Sequence, residues 1–126
     1  MNVLINQFPI VVEYYDDAAN KLLEVKDYDK AYSYLTERNE IEPSAFSTKW
    51  IGIINLYKNQ TAAAEKFLNE SIAFDRNDAQ VWYNLAGVYI EEKDYQKALQ
   101  MTEKALSLNP RYADALALHA RLKQAL

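Results

Sequence analysis

Apolar positions along this chain recur every three or four residues. Trp82, Leu85, Ala86 and Tyr89 stand at i, i+3, i+4 and i+7, so a helix through them presents one apolar face. Further on, Ala98 and Ala105 stand seven apart, with Leu99, Leu106 and Leu108 around them. Small residues there let two helix backbones approach closely while Trp82 and Tyr89 fill the volume beside them. Lys93-Asp94 interrupts the pattern, and Asp94 is a suitable N-cap for the second helix. Pro110 has no N–H and disfavours helix at Asn109, so the second helix ends there. Pro43 gives the same stop earlier in the chain. Read this way throughout, the pattern predicts seven helices, at about 11–26, 28–40, 45–57, 61–75, 79–92, 95–108 and 112–125. No run of alternating β-branched residues suggests a strand.

The helix pairs repeat. Asp27-Tyr28-Asp29-Lys30-Ala31, Gln60-Thr61-Ala62-Ala63-Ala64 and Asp94-Tyr95-Gln96-Lys97-Ala98 place their last alanines 33 and 34 residues apart. Pro43, Arg76 and Pro110 keep the same two steps. A period near 34 with a Trp-Leu-Ala-Tyr helix, an Ala-rich helix and a closing Pro resembles the tetratricopeptide repeat. The third unit matches through Trp82, Leu85, Ala86, Tyr89, Ala98, Ala105 and Pro110, and departs at Thr102, where the family prefers a large apolar residue. The first matches through Tyr15, Ala19, Leu22, Ala31, Leu35 and Pro43, and departs at Ala18 and Arg38. The second matches through Ile51, Gly52, Ala64, Leu68 and Ser71, and departs at Thr48, Asn55 and Arg76.

The resemblance implies an all-α, right-handed α-solenoid of about three helix hairpins plus a C-terminal capping helix. As a single domain, its expected parts are an N-terminal extension 1–11, repeats 12–44, 45–78 and 79–112, and a capping helix 113–126. It also implies that one face of the first helix of each repeat lines a concave groove. Carried onto this sequence, that face holds Glu13, Asp16, Asp17 and Asn20, then Lys49, Trp50 and Ile53, then Tyr83 and Asn84, and finally Arg121 in the last helix. Asp114, Leu118 and Gly87 fall on it as well. The groove is expected to be acidic at its N-terminal end, aromatic in the middle and mildly basic at its far end. The expected guest is a peptide or helix of a partner protein with basic and apolar residues. Family members that grip acidic chaperone tails do so with a clamp of Lys, Asn and Arg. Here the corresponding positions hold Asp16, Asn20, Trp50, Gln80 and Asn84, of which only Asn20 matches, so that role is rejected.

Charge sharpens this picture. The net charge of the chain is −4, and it is uneven: residues 1–44 carry −5, residues 45–78 are balanced, and residues 79–126 carry +1. An acidic chain without a basic stripe is a poor match for nucleic acid or for an anionic membrane surface. Asp and Glu in the first turns of helices also stabilise the positive helix end with no ligand present, a second reading of Glu13, Asp16 and Asp17.

Catalytic chemistry has little to work with. There is no cysteine, the one histidine is His119, and Gly52 and Gly87 are the only glycines, too few for a phosphate-binding loop. The adjacent pairs Asp16-Asp17 and Glu91-Glu92 point to different faces of a helix and make no acid/base dyad. No enzyme activity, cofactor or metal is expected. The reading is therefore a non-catalytic interaction module or adaptor. The alternatives are a self-associating structural domain and the scaffold part of a larger multidomain protein. Residues 1–10, with Val3-Leu4-Ile5 and Phe8-Pro9-Ile10, are expected to lie along the stack or in a neighbour's groove. Leu118, Leu122 and Leu126 form a second apolar line, expected to pack on the third repeat or to join two copies. With no signal-like start and no spanning apolar stretch, no membrane insertion is expected and a cytoplasmic location is slightly favoured.

Overall fold

The structure, a computed structural model, describes residues 10–126. Seven helices make up the fold of these residues: α1 (Ile10–Glu24), α2 (Tyr28–Ile41), α3 (Ala45–Tyr57), α4 (Thr61–Phe74), α5 (Ala79–Glu91), α6 (Tyr95–Leu108) and α7 (Ala113–Ala125). Each lies within two residues of its expected span. Of the strap expected at 1–10, residues 1–9 lie outside the described residues, and Ile10 begins α1.

Local chemistry explains the hairpins. Asp27 and Asp94 cap α2 and α6, accepting from the backbone N–H of Lys30 and Lys97. Ser44 and Ser47 form a reciprocal capping box at the start of α3, and Asp78 caps α5 by accepting from Gln80 N–H. Between the two helices of each hairpin sits one left-handed residue: Lys26, Asn59 and Lys93, with φ of 59°, 62° and 62°. Each corner is closed alike. The next residue's N–H reaches back to Leu22, Asn55 or Tyr89 carbonyl at 2.8–2.9 Å. That is the Schellman closure of a helix C-terminus.

The helices stack in sequence order, each packing on its neighbours, with α3 also touching α5. Two connected cores result. One gathers Ala19, Ala31, Leu35, Ile51 and Ile54, and the other Ile53, Ala64, Leu68, Val81, Leu85 and Val88, all essentially unexposed. This is an all-α helical-repeat solenoid. The expected close approaches are present: Ala31, Ala64, Ala98 and Ala105 are fully buried. At Gly52 the approach is closest, since a Cβ there would stand 2.7 Å from Leu68 Cγ.

Three residues that depart from the repeat pattern, Thr48, Asn55 and Thr102, are buried and satisfied within their own turns of helix. Thr102 Oγ1 donates to Ala98 carbonyl at 2.8 Å, Thr48 Oγ1 to Ser44 carbonyl at 2.6 Å, and Asn55 Nδ2 to Ile51 carbonyl at 2.9 Å. Arg38, standing where a small residue is usual, is only 6% exposed. Its Nε donates to Asp16 Oδ1 at 2.8 Å, and its Nη1 to Glu42 carbonyl. The last helix covers α6 with Ala115 and Leu122, leaving Leu116 and Leu126 about half exposed.

Candidate functional site

Three helices that are not consecutive, α3, α5 and α7, share one side of the stack. Their side chains border a cleft of about 370 Å³: Leu56 and Tyr57 from α3, Tyr83, Asn84, Gly87 and Ile90 from α5, and Asp114 and Leu118 from α7. Ile90 and Leu118 continue into an adjoining hollow of about 480 Å³ with Tyr95, Arg121, Leu122 and Ala125. Helix register explains the lining, because 83, 87 and 90 share one face of α5, as do 114, 118 and 121 of α7. Gly87 leaves the floor low. Asn84 is mostly buried and ties its amide to Gln80 carbonyl at 2.8 Å.

Tyrosines line the wall. The Tyr83 and Tyr112 rings lie 5.2 Å apart, and Tyr57 meets Tyr28 edge-on at 5.3 Å. Burial, reinforced by Tyr83 and Asp114, pushes the Tyr112 hydroxyl up to about 12. Burial likewise raises Tyr57 and Tyr83. Tyr112 thus holds its proton more tightly folded than unfolded. Its contribution to stability is complete below the ordinary tyrosine pKa of 10.0 and is lost as pH climbs to about 12. Denaturant melts across that alkaline window are expected to show falling stability, and a smaller fall for Tyr112→Phe. Equal falls in both proteins would place the effect at other groups.

The ten groove residues expected from the sequence are not brought together. Tyr83 and Asn84 line the cleft, and Arg121 lines the adjoining hollow. Ile53 is corrected: it is fully buried in the second core, because α5 packs over the α3 face that carries it. Trp50 is half-buried and touches both cores, which makes it a bridge between hairpins. Lys49 pairs with Asp78 at 2.8 Å, its side chain 17% exposed, so its charge is already answered within the chain. Asp16 is spent in the same way on Arg38. Glu13, Asp17 and Asn20 are exposed on α1 and border neither hollow. Leu56, Tyr57 and Ile90 were missed. Their signal was present in the sequence, one turn beyond the positions chosen on α3 and α5.

Among the described residues, no group of three or more His, Cys, Asp or Glu is placed to hold a metal ion. His119 faces Glu103, with 3.3 Å between Nε2 and Oε2. No helix of the described residues is long and apolar enough to cross a membrane.

A stack of helix hairpins in sequence order, closed by one last helix, defines a helical-repeat protein. Residues 79–112 match the family model of the tetratricopeptide repeat, and the fold of the whole described stack is the one seen in solved tetratricopeptide-repeat structures. Over 66 residues, 52% of this chain, it is 39% identical to the human Protein O-mannosyl-transferase TMTC3, of which it spans only 7%. Solved structures share the fold over nearly its whole length. MamA superposes with a TM-score of 0.82 at 21% identity, covering 98% of this chain and 73% of that one. The Arabidopsis OM64 TPR domain gives 0.83 at 18% identity, covering 92% and 97%. The first TPR of Spaghetti (RPAP3), bound to the HSP90 peptide SRMEEVD, gives 0.81 at 18% identity, covering 90% and 91%.

Proposed function

We propose that this chain is a non-catalytic protein-interaction module whose concave cleft receives a segment of a partner protein. The observation that carries this is the cleft itself. Leu56, Ile90 and Leu118 offer apolar surface in a recess bordered by the tyrosines Tyr57 and Tyr83. An apolar side chain seated there would be desolvated on several sides, which is how a few anchors come to dominate peptide affinity. Peptide binding by a structural neighbour supports the reading at the level of class.

Its guest differs from that neighbour's acidic peptide. The corresponding positions here hold Asp16, Asn20, Trp50, Gln80 and Asn84, and Lys49 is paired with Asp78. The relation to a transferase of which this chain spans only 7% also suits the second reading, a scaffold within a larger protein, with the same cleft in use.

Gly87 provides the test. Its φ is not positive, so a side chain is tolerated by the backbone, and a Cβ would meet only the flexible Leu56 Cδ2 at 3.1 Å. Gly87→Ala is expected to be neutral or to stabilise by up to about 1 kcal/mol through helix propensity. Gly87→Leu is expected to stay folded while filling the recess. Panning random dodecapeptides on the intact chain should enrich large aliphatic or aromatic residues. The folded Gly87→Leu protein should lose that enrichment, and Leu116→Ser on the outer face should keep it. Enrichment by Gly87→Leu equal to that by the parent chain would remove the cleft from the account.

A further inference from the structure

The carboxylate that borders the cleft stands on α7, at the far end of the stack from the acidic α1. On α1, Asp16 is occupied by Arg38 and the remaining carboxylates border neither hollow. On α7, Asp114 borders the cleft directly, together with the rings of Tyr57 and Tyr83. Asp114 is exposed, and none of the ion pairs found among the described residues involves it.

We infer that the guest of the cleft carries a lysine or arginine whose stem lies along Tyr57 and Tyr83 and whose charge meets Asp114, next to an apolar residue seated on Ile90 and Leu118. The inference rests on the proposed function and names the partner chemistry of that same site. Three features favour it. Aromatic faces attract a cation through their ring quadrupole, and a carboxylate at the rim adds a charge-assisted hydrogen bond. A long basic side chain has an apolar stem and a charged tip, matching a recess with apolar walls and one acid at its edge. Asp114 belongs to none of the ion pairs found among the described residues, so its charge is open to a guest. An anionic guest would meet Asp114 as a like charge, and a purely apolar guest would leave it idle.

Asp114 also lies in the first turn of α7, where a carboxylate stabilises the helix start whatever the guest. The test must therefore read discrimination between guests and not affinity alone. Peptides enriched on the parent chain are resynthesised with their basic residue intact and with norleucine in its place. The basic form is expected to bind about five- to tenfold more tightly, the combined worth of an exposed cation–π contact and an exposed ion pair. Asp114→Asn should cut that ratio to about half or less, leaving the share that the aromatic faces contribute. Arg121→Gln, which removes a like charge from the adjoining hollow, should strengthen the basic peptides. Asp17→Asn should leave the ratio alone.

The inference is overturned if basic and norleucine peptides bind equally. It is overturned equally if their ratio is undiminished in Asp114→Asn or follows Asp17→Asn. In those cases the apolar cleft still stands as the binding site. Failure of the parent chain to enrich any peptide would instead remove both the inference and the proposed function.

Discussion

Leu68→Ala is expected to lower the free energy of unfolding by about 2–5 kcal/mol, enough to consume a large share of a domain's stability. Leu68 is fully buried at the centre of the second core, among Ile53, Ala64, Val81 and Leu85, where α4 faces α3 and α5. Its side chain also occupies the space left by Gly52. A Cβ at Gly52 would stand 2.7 Å from Leu68 Cγ, 2.9 Å from Cδ2 and 3.1 Å from the backbone nitrogen. Gly52→Ala alone should then cost about 1–2 kcal/mol, because overpacking outweighs the gain in helix propensity. Made together, the two changes should cost less than their sum by about 1 kcal/mol or more, since the new methyl enters the vacated volume. Urea melts of the four proteins measure this coupling. Strict additivity would mean that helices α3 and α4 do not approach as closely as described.

The second large effect is expected at Asp16. Arg38 is buried to 7% of its side-chain surface, while Asp16 keeps 30%. Asp16→Asn takes the negative charge and one of two carboxylate acceptors away from a buried guanidinium, leaving it an amide oxygen and the Glu42 carbonyl. A fully buried pair loses about 3–5 kcal/mol when one partner is removed, and the exposure of Asp16 reduces this to about 1–3 kcal/mol. Arg38→Met removes the cation itself and leaves Asp16 free to hydrate. That change should stay within about 1 kcal/mol of the parent. Denaturant melts of the two variants decide between readings. A larger loss for Arg38→Met would assign the role to the arginine stem and its contact with Glu42.

Helix spacing carries most of the fold. With Ala31, Ala64 and Ala98 in register, the spacing predicts most of the buried positions of the three hairpins, among them some filled by unusual residues. Thr48 and Asn55 looked like misfits in sequence, yet both are buried where the repeat places them, each bonded to its own helix. Arg38 looked like another. Its need for a partner was legible, but the choice of Asp16 was not, because that contact joins residues 22 apart on different helices. The groove was less legible for a physical reason. Pattern along one helix says which residues share a face, but not how much of that face the next hairpin covers. Lys49 and Ile53 illustrate the loss, one drawn to Asp78 and the other sealed beneath α5. Tyr57 and Ile90, one turn further along, remain on the open side.

Lys26, Asn59 and Lys93 bend the backbone in the same sense at steps of 33 and 34 residues. The same short bonds fasten each bend. Duplicating or deleting one such unit therefore rejoins ends that already match, and no new interior has to be invented. Length in this architecture can drift by whole modules while the geometry at every joint stays as it was.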